Sequence, residues 1–302
     1  MNEAQRDGIA GALVGAAVGD ALGAPYEFAI PGPADPEMPG GGIGPWEPGE
    51  WTDDTQLTIC LAQAAADGEL TPGGVGARLL AWFASRPKDV GIQTAQVLSS
   101  TQDPAKLADV AREGYARRPH GSAGNGSLMR TAPVALAHLG NDASIAWTAR
   151  AISDVTHGDP LCGDACVLWC IAIDRAIREE RLDGIDDGIA LLPHEVRPAW
   201  RMWIERARSG PPEAFAPNGY VVTALQAALS AVSRATDFAS GVRAAIAVGH
   251  DTDTVGSIAG ALLGARFGRS GIPTFWQEPL HGWPGLDADR LADLALQVAP
   301  PT

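Results

Sequence analysis

Apolar residues recur along this chain at the three-and-four spacing of helices, and no alternating, strand-like stretch of useful length interrupts them. The pattern predicts helices over residues 8–23, 53–67, 71–87, 89–100, 103–117, 127–139, 142–157 and 160–181. Further helices are expected over 195–208, 220–236, 238–248, 254–267 and 287–299. Two of these segments are rich in Gly and Ala on all sides. Gly11, Gly15 and Gly19 stand four apart in the first, and Gly256, Gly260 and Gly264 stand four apart in the second. Glycine costs helix propensity, so the return expected is close approach of another backbone. An all-round apolar helix belongs in the interior, and both are expected in the middle of the fold. Between helices, residues 31–49 are dense in Pro and Gly without a period and read as a surface loop or flap, while 117–126 form a polar, glycine-rich loop. No linker and no repeat divides the chain. The expectation is one all-α domain over residues 1–302, a bundle of about a dozen helices.

Composition narrows the chemistry. The 302 residues are 46% hydrophobic, enough for a substantial core. Acidic residues outnumber basic ones 36 to 22, a formal charge of -14, which argues against nucleic acid or an anionic membrane as a nonspecific partner. Residues 1–7 place no basic segment ahead of an apolar one, so no signal peptide is expected, and no apolar run is read as reaching the roughly 18 residues of a membrane span. Cys162, Cys166 and Cys170 fall at four-residue spacing among apolar residues, and with Cys60 they read as buried core thiols rather than a zinc site. A cytoplasmic monomer is expected.

Two short stretches carry the densest chemistry. Trp51-Thr52-Asp53-Asp54-Thr55-Gln56 and His250-Asp251-Thr252-Asp253-Thr254-Val255-Gly256 each crowd two carboxylates and at least two hydroxyls ahead of a helix. Asp and Thr are favoured helix caps, which would account for either cluster alone. A cap needs one side-chain oxygen, however, and each cluster offers four. Adjacent like charges repel unless a cation sits between them, and hard oxygen ligands suit Mg²⁺, Mn²⁺ or Ca²⁺.

Five motifs appear in order: Gly19-Asp20-Ala21-Leu22-Gly23 with Glu27; Thr52-Asp53-Asp54-Thr55; Gly124-Asn125-Gly126-Ser127-Leu128-Met129-Arg130; Thr156-His157; and Asp251-Thr252-Asp253-Thr254-Val255-Gly256. The set resembles the ADP-ribosylglycohydrolase family, closest to its dinitrogenase reductase-activating type, over roughly residues 8–268. The resemblance implies an orthogonal all-α bundle and a binuclear Mg²⁺ or Mn²⁺ centre held by Thr52, Asp53, Asp54, Asp251, Asp253 and Thr254. Four carboxylates bear charge that two divalent cations would balance. The implied reaction is hydrolysis of the bond between C1″ of ADP-ribose and a modified side chain, with an ADP-ribosylated protein or small ADP-ribosyl compound as partner.

The same resemblance gives Glu27, otherwise a solvated loop glutamate, a role in activating water or gating entry. It puts Ser122, Ala123, Gly124, Asn125, Gly126 and His157 against the ADP-ribose, with the loop's amides and the following helix N-terminus holding the pyrophosphate. By pattern alone the loop would be only a turn and His157 a helix C-cap. Ser85-Arg86-Pro87-Lys88-Asp89-Val90-Gly91 resembles the segment that brings an aspartate to the scissile end, so Asp89 is expected to face a guanidinium, favouring arginine-linked substrates. Without the resemblance Asp89 reads as a helix N-cap. Serine-linked, O-acetyl or nucleotide-linked ADP-ribose and a non-catalytic, crystallin-like binder are the alternatives. His250, Tyr26 and residues 280–285 depart from the nitrogenase-regulating pattern, and His250 is a candidate for orienting a ligand.

Overall fold

Two helices that touch through their backbones set the frame. In the computed structural model, which describes residues 1–119 and 121–300, α1 (Glu3–Gly23) and a late helix, Thr252–Phe267, run antiparallel. The glycines predicted to permit close approach face one another in pairs. A Cβ on Gly19 would lie 2.0 Å from the Gly256 carbonyl oxygen, one on Gly15 2.4 Å from that of Gly260, and one on Gly11 2.2 Å from that of Gly264. No side chain larger than hydrogen fits along this seam.

The remaining helices follow in chain order: α2 (Asp53–Ala66), α3 (Pro72–Ala84), α4 (Ile92–Ser100), α5 (Leu107–Arg117), α6 (Ala132–Ala137) and α7 (Asp142–Ser153). Then come α8 (Pro160–Glu179), α9 (Ile185–Gly188), α10 (Arg197–Ser209), α11 (Val221–Ser233), α12 (Phe238–Ile246), α13 (Thr252–Phe267), α14 (Thr274–Gln277) and α15 (Ala288–Val298). The all-α expectation holds. Buried apolar side chains from Ile9 to Ala299 form one continuous cluster, and α1 and α13 run through it, buried on nearly every face. All four cysteines are free and buried.

Several expectations need correction. The stretch Glu3–Tyr26 is long and apolar enough to cross a membrane, with a mean hydropathy of 1.3, contrary to the reading of the sequence. Its window is 94% buried, so it is the central helix of this fold. The helix expected from residue 127 begins only at Ala132. Asn125 draws the Leu128 and Met129 amides into a turn, and Pro133 has no N–H to continue a helical ladder backwards. The helix expected from Asp89 begins at Ile92, with Gly91 as its N-cap. A small hairpin, β1 (His281–Gly282) with β2 (Leu286–Asp287), was too short to show any alternation. It holds the chain just before α2: Trp51 N–H donates to the His281 carbonyl (3.1 Å) and Trp51 Nε1 to that of Trp283 (3.1 Å).

Candidate active site

The α1–α13 seam decides where the carboxylates meet. Because the helices are antiparallel, the C-terminal end of α1 lies beside the first turn of α13, and a Cβ on Gly23 would sit 2.5 Å from the Asp253 Cα. One turn earlier on α1, fully buried Asp20 reaches across to a third helix. Its carboxylate accepts from the backbone amides of Thr52 (3.0 Å) and Thr55 (3.0 Å) and from the Thr55 hydroxyl (2.6 Å). The first turn of α2 is therefore capped by α1, not by its own residues. Neither Thr52, the N-cap of α2, nor Asp251, the N-cap of α13, makes a side-chain cap hydrogen bond. Capping by Thr52 and Asp251 thus does not account for the two acidic clusters, and the placement of their carboxylate oxygens needs another reason.

Those oxygens converge. Ligand atoms of Asp20, Asp54 and Asp253 lie within 4.8 Å of one another, and so do those of Glu27, Asp251 and Asp253, so Asp253 belongs to both groups. The hydroxyls of Thr52 and Thr254 lie 3.4 and 3.5 Å from Asp54 Oδ2. Asp53 Oδ2 accepts weakly from the Gly91 amide at 3.3 Å. Glu27, Asp53, Asp54, Asp89, Asp251, Asp253 and Thr254 all line one cleft of about 1240 Å³.

Electrostatics show what the knot lacks. Burial, then repulsion from Asp251, Asp89 and Asp53, raises the Glu27 carboxyl to about 8. Burial, then Asp89 and Asp20, raises Asp53 to about 8. Asp54 and Asp253 are driven well above the usual carboxylate range by burial and then by their neighbours. Asp20 rises to about 6 by burial, against the lowering effect of its bonds from Thr55 and Thr52. Among the described residues, Asp54 Oδ1 is buried with no hydrogen-bond partner. An orphaned carboxylate oxygen amid mutually repelling acids, in an all-oxygen donor set, is what a hard divalent cation satisfies. The residues fit such an ion.

The opposite wall is the 122–127 loop. Ala123, Gly124, Asn125, Gly126 and Ser122 line the same cleft, and so does His157. Asn125 joins the two walls, since its Nδ2 donates to Asp251 Oδ2 at 2.7 Å. The loop is less free than the sequence implied. The Asn125 amide is committed to the Gly219 carbonyl (3.2 Å), the Gly124 amide leans on Gln93 Oε1 (3.4 Å), and the Ser122 hydroxyl donates to the Arg118 carbonyl (2.8 Å). The helix N-terminus expected behind the loop is displaced to Ala132. His157 is not the cap of α7, which ends at Ser153. Its ring is buried, Nδ1 lies 2.7 Å from Thr156 Oγ1, and burial together with the Arg130 charge holds it well below the ordinary histidine range.

Asp89 caps nothing either; it lines the cleft, near enough to Glu27 and Asp53 to raise both. His250 acts through its backbone. Its carbonyl accepts from the Phe28 amide (2.6 Å) and its amide donates to the Ala29 carbonyl (2.9 Å), which ties the Glu27 segment to the Asp251 segment. Its ring forms no hydrogen bond to a carboxylate among the described residues.

Two residues of the site had been given no role. Asp20 carried a usable signal, a lone acid within an apolar helix. Fully buried Asn218 carried none. Its Oδ1 accepts from the Asp251 amide (2.9 Å), its Nδ2 donates to the Gly249 carbonyl (3.1 Å), and its carbonyl accepts from Asn125 Nδ2 (3.1 Å).

Comparison with known proteins bears on this geometry. The family description "ADP-ribosylglycohydrolase" matches residues 1–301. An ADP-ribosyl-[dinitrogen reductase] glycohydrolase of Rhodospirillum rubrum is 30% identical, over 96% of this chain and 95% of that one. An ADP-ribosylarginine hydrolase of Pseudomonas putida (strain GB-1) is 32% identical, over 95% of this chain and 78% of that one. A solved structure described as an ADP-ribosylglycohydrolase-related protein complex superposes with a TM-score of 0.76 at 31% identity, covering 98% of both chains. With its motifs folded into one cleft and the match running almost end to end, this chain belongs to the ADP-ribosylglycohydrolase family.

Proposed function

We propose that the protein hydrolyses the bond between C1″ of ADP-ribose and a modified side chain, arginine above all, at a centre of two Mg²⁺ or Mn²⁺ ions. The observation that carries this reading is the convergence of the acids of α2, α13 and the Glu27 segment on one cleft wall, with the 122–127 loop and His157 on the other. Thr52, Asp53, Asp54, Asp251, Asp253 and Thr254 are assigned as metal-holding residues, and the orphaned Asp54 Oδ1 supports that assignment. Bound divalent cations would hold ribose hydroxyls and polarise the reacting centre as Lewis acids.

The chain's own groups do the rest. Glu27 lines the cleft beside Asp251 and Asp253, and once cations relieve the repulsion on it, its carboxylate is placed to take a proton from an attacking water. Asp89 stands beside Glu27 with no cap to serve, and a planar guanidinium is the partner its carboxylate suits best. Ser122, Ala123, Gly124, Asn125 and Gly126 shape the wall against which the nucleotide lies, and His157 adds a polar contact there. Two relatives, one acting on ADP-ribosylated dinitrogen reductase and one on ADP-ribosylarginine by their names, support an ADP-ribosylated protein as substrate. Four free buried thiols support a reducing compartment such as the cytoplasm.

The test is turnover of arginine-linked and serine-linked ADP-ribosyl peptides side by side, with Mg²⁺, with Mn²⁺ and after chelation. Faster release from arginine, abolished by chelation, is expected. Equal or faster release from serine would overturn the linkage, and full activity after chelation would overturn the metal centre.

A further inference from the structure

We propose that Arg130 and Thr156 are positioning residues that fix His157 as the neutral tautomer with its proton on Nε2, so that the ring can only donate toward an acceptor oxygen of the ligand. The chain of bonds has one consistent direction. A guanidinium has donors and no acceptor. Arg130 Nη2 lies 2.6 Å from Thr156 Oγ1, so the threonine oxygen accepts there. Its single hydrogen is then left for His157 Nδ1, 2.7 Å away. An Nδ1 that accepts leaves the ring proton on Nε2.

The opposite arrangement has a cost. Were Nδ1 protonated and donating to Thr156, the threonine hydroxyl hydrogen would need another acceptor. Thr156 is fully buried, and among the described residues its hydroxyl has no hydrogen-bond neighbours but Arg130 and His157. A buried hydroxyl left without an acceptor is disfavoured.

The placement of Arg130 argues that more than packing is involved. It is 0% exposed, and among the described residues its one hydrogen-bond partner is Thr156 Oγ1, while Nε and Nη1 have none. A buried cation this poorly compensated is an expensive way to fill space, and an apolar side chain would fill it more stably. Burial lowers it to about 10, which leaves it charged at neutral pH.

The proton faces the cleft. A Cβ on Gly126 would lie 3.1 Å from His157 Nε2, and one on Gly124 3.6 Å. Nε2 has no hydrogen-bond partner among the described residues, and His157 lines the cleft wall. The missing acceptor is a ligand oxygen. That the ligand is ADP-ribose rests on the function proposed above; the tautomer does not.

The experiment is long-range ¹H–¹⁵N correlation on the ¹⁵N-labelled full chain in Mg²⁺ buffer at pH 7, followed by titration with ADP-ribose. The wild type should show a pyridine-type Nδ1 and a pyrrole-type Nε2, with Nε2 moving on titration. Thr156→Val should lose the single-tautomer signature and bind ADP-ribose about 10- to 100-fold more weakly, the scale of one lost hydrogen bond to a charged group. Thr156→Ser, which keeps the hydroxyl, should restore both. Far-ultraviolet circular dichroism of the Val and Ser variants separates this from misfolding. An imidazolium or an Nδ1–H ring in the wild type overturns the proposal, and so does a folded Thr156→Val protein that keeps the Nε2–H signature and wild-type affinity. A correct tautomer that Thr156→Val scrambles, with no response of Nε2 to ADP-ribose in the wild type, upholds the relay and rejects the ligand.

Discussion

Asp253→Asn is the most informative single change, because Asp253 is shared by both groups of converging carboxylates and the substitution keeps its shape. It removes one charge from a buried set that repels itself, so the metal-free protein should be no less stable than the wild type. The loss should appear only when cations are added. A ligand at 100 times its Kd stabilises a folded protein by about 2.7 kcal/mol. For a chain of this size that is a rise of roughly 5 °C in melting temperature. Removing an outer partner of a metal ligand already costs 10- to 100-fold in affinity, so losing a shared ligand should cost at least about 100-fold. At the same cation concentration the variant would then sit near its Kd, with about 0.4 kcal/mol of stabilisation and a shift of roughly 1 °C. The assay is a pair of thermal melts for each protein, with EDTA and with excess Mg²⁺, alongside turnover of an arginine-linked substrate. A variant that keeps the full Mg²⁺ shift and full turnover would refute the assignment. One that melts far below the wild type in EDTA would show that Asp253 serves the fold instead.

Three further outcomes are expected. Glu27 and Asp53 have folded-state carboxyls raised to about 8, so the folded protein holds more protons than the unfolded one between about pH 4 and 8. Metal-free stability should therefore fall as pH rises through that window, and saturating Mg²⁺ should flatten the slope; melts in EDTA and in Mg²⁺ from pH 5 to 8 check both. Asp89→Ala should slow arginine-linked turnover by about 10-fold or more while leaving ADP-ribose affinity within a factor of about two, since it removes a partner of the leaving group alone; equal losses measured by kinetics and calorimetry would make it a general binding residue. Gly19→Ala would place a methyl 2.0 Å from the Gly256 carbonyl oxygen, so urea unfolding should show a loss of about 3 kcal/mol or more, beyond ordinary overpacking because every atom it meets there is backbone.

What could be read from the chain alone was whatever is written at short range. Glycines four apart announce a smooth helix face, and the two ladders do pair. Acids crowded before a helix announce a problem of charge, and the two clusters do share a cleft. Asp89 showed the limit of local reasoning, because an aspartate three residues before a helix looks like a cap until the helix is seen to start at Ile92. Helix ends were the weakest part of the prediction for the same reason, as Asn125 and Pro133 show between them. Asn218 and the Arg130–Thr156 contact were invisible, for their partners lie far away in sequence: Asn218 is 33 residues from Asp251, and Arg130 is 26 from Thr156. Nothing in the composition of either segment anticipates those partners.

The bare seam between α1 and α13 has a consequence for how such an enzyme can diversify. Side chains elsewhere in a core adjust by changing rotamer, but main chain pressed on main chain has no such play. The spacing between the Asp20 end of one helix and the Asp253 end of the other is thus ruled by the contact radii of backbone atoms, like the jaws of a fixed gauge. Mutation can scarcely retune it. Novelty in what the protein accepts must then arise off that frame, in the irregular segments around Asp89 and Ser122, where sequence can drift while the acid-bearing helix ends stay put.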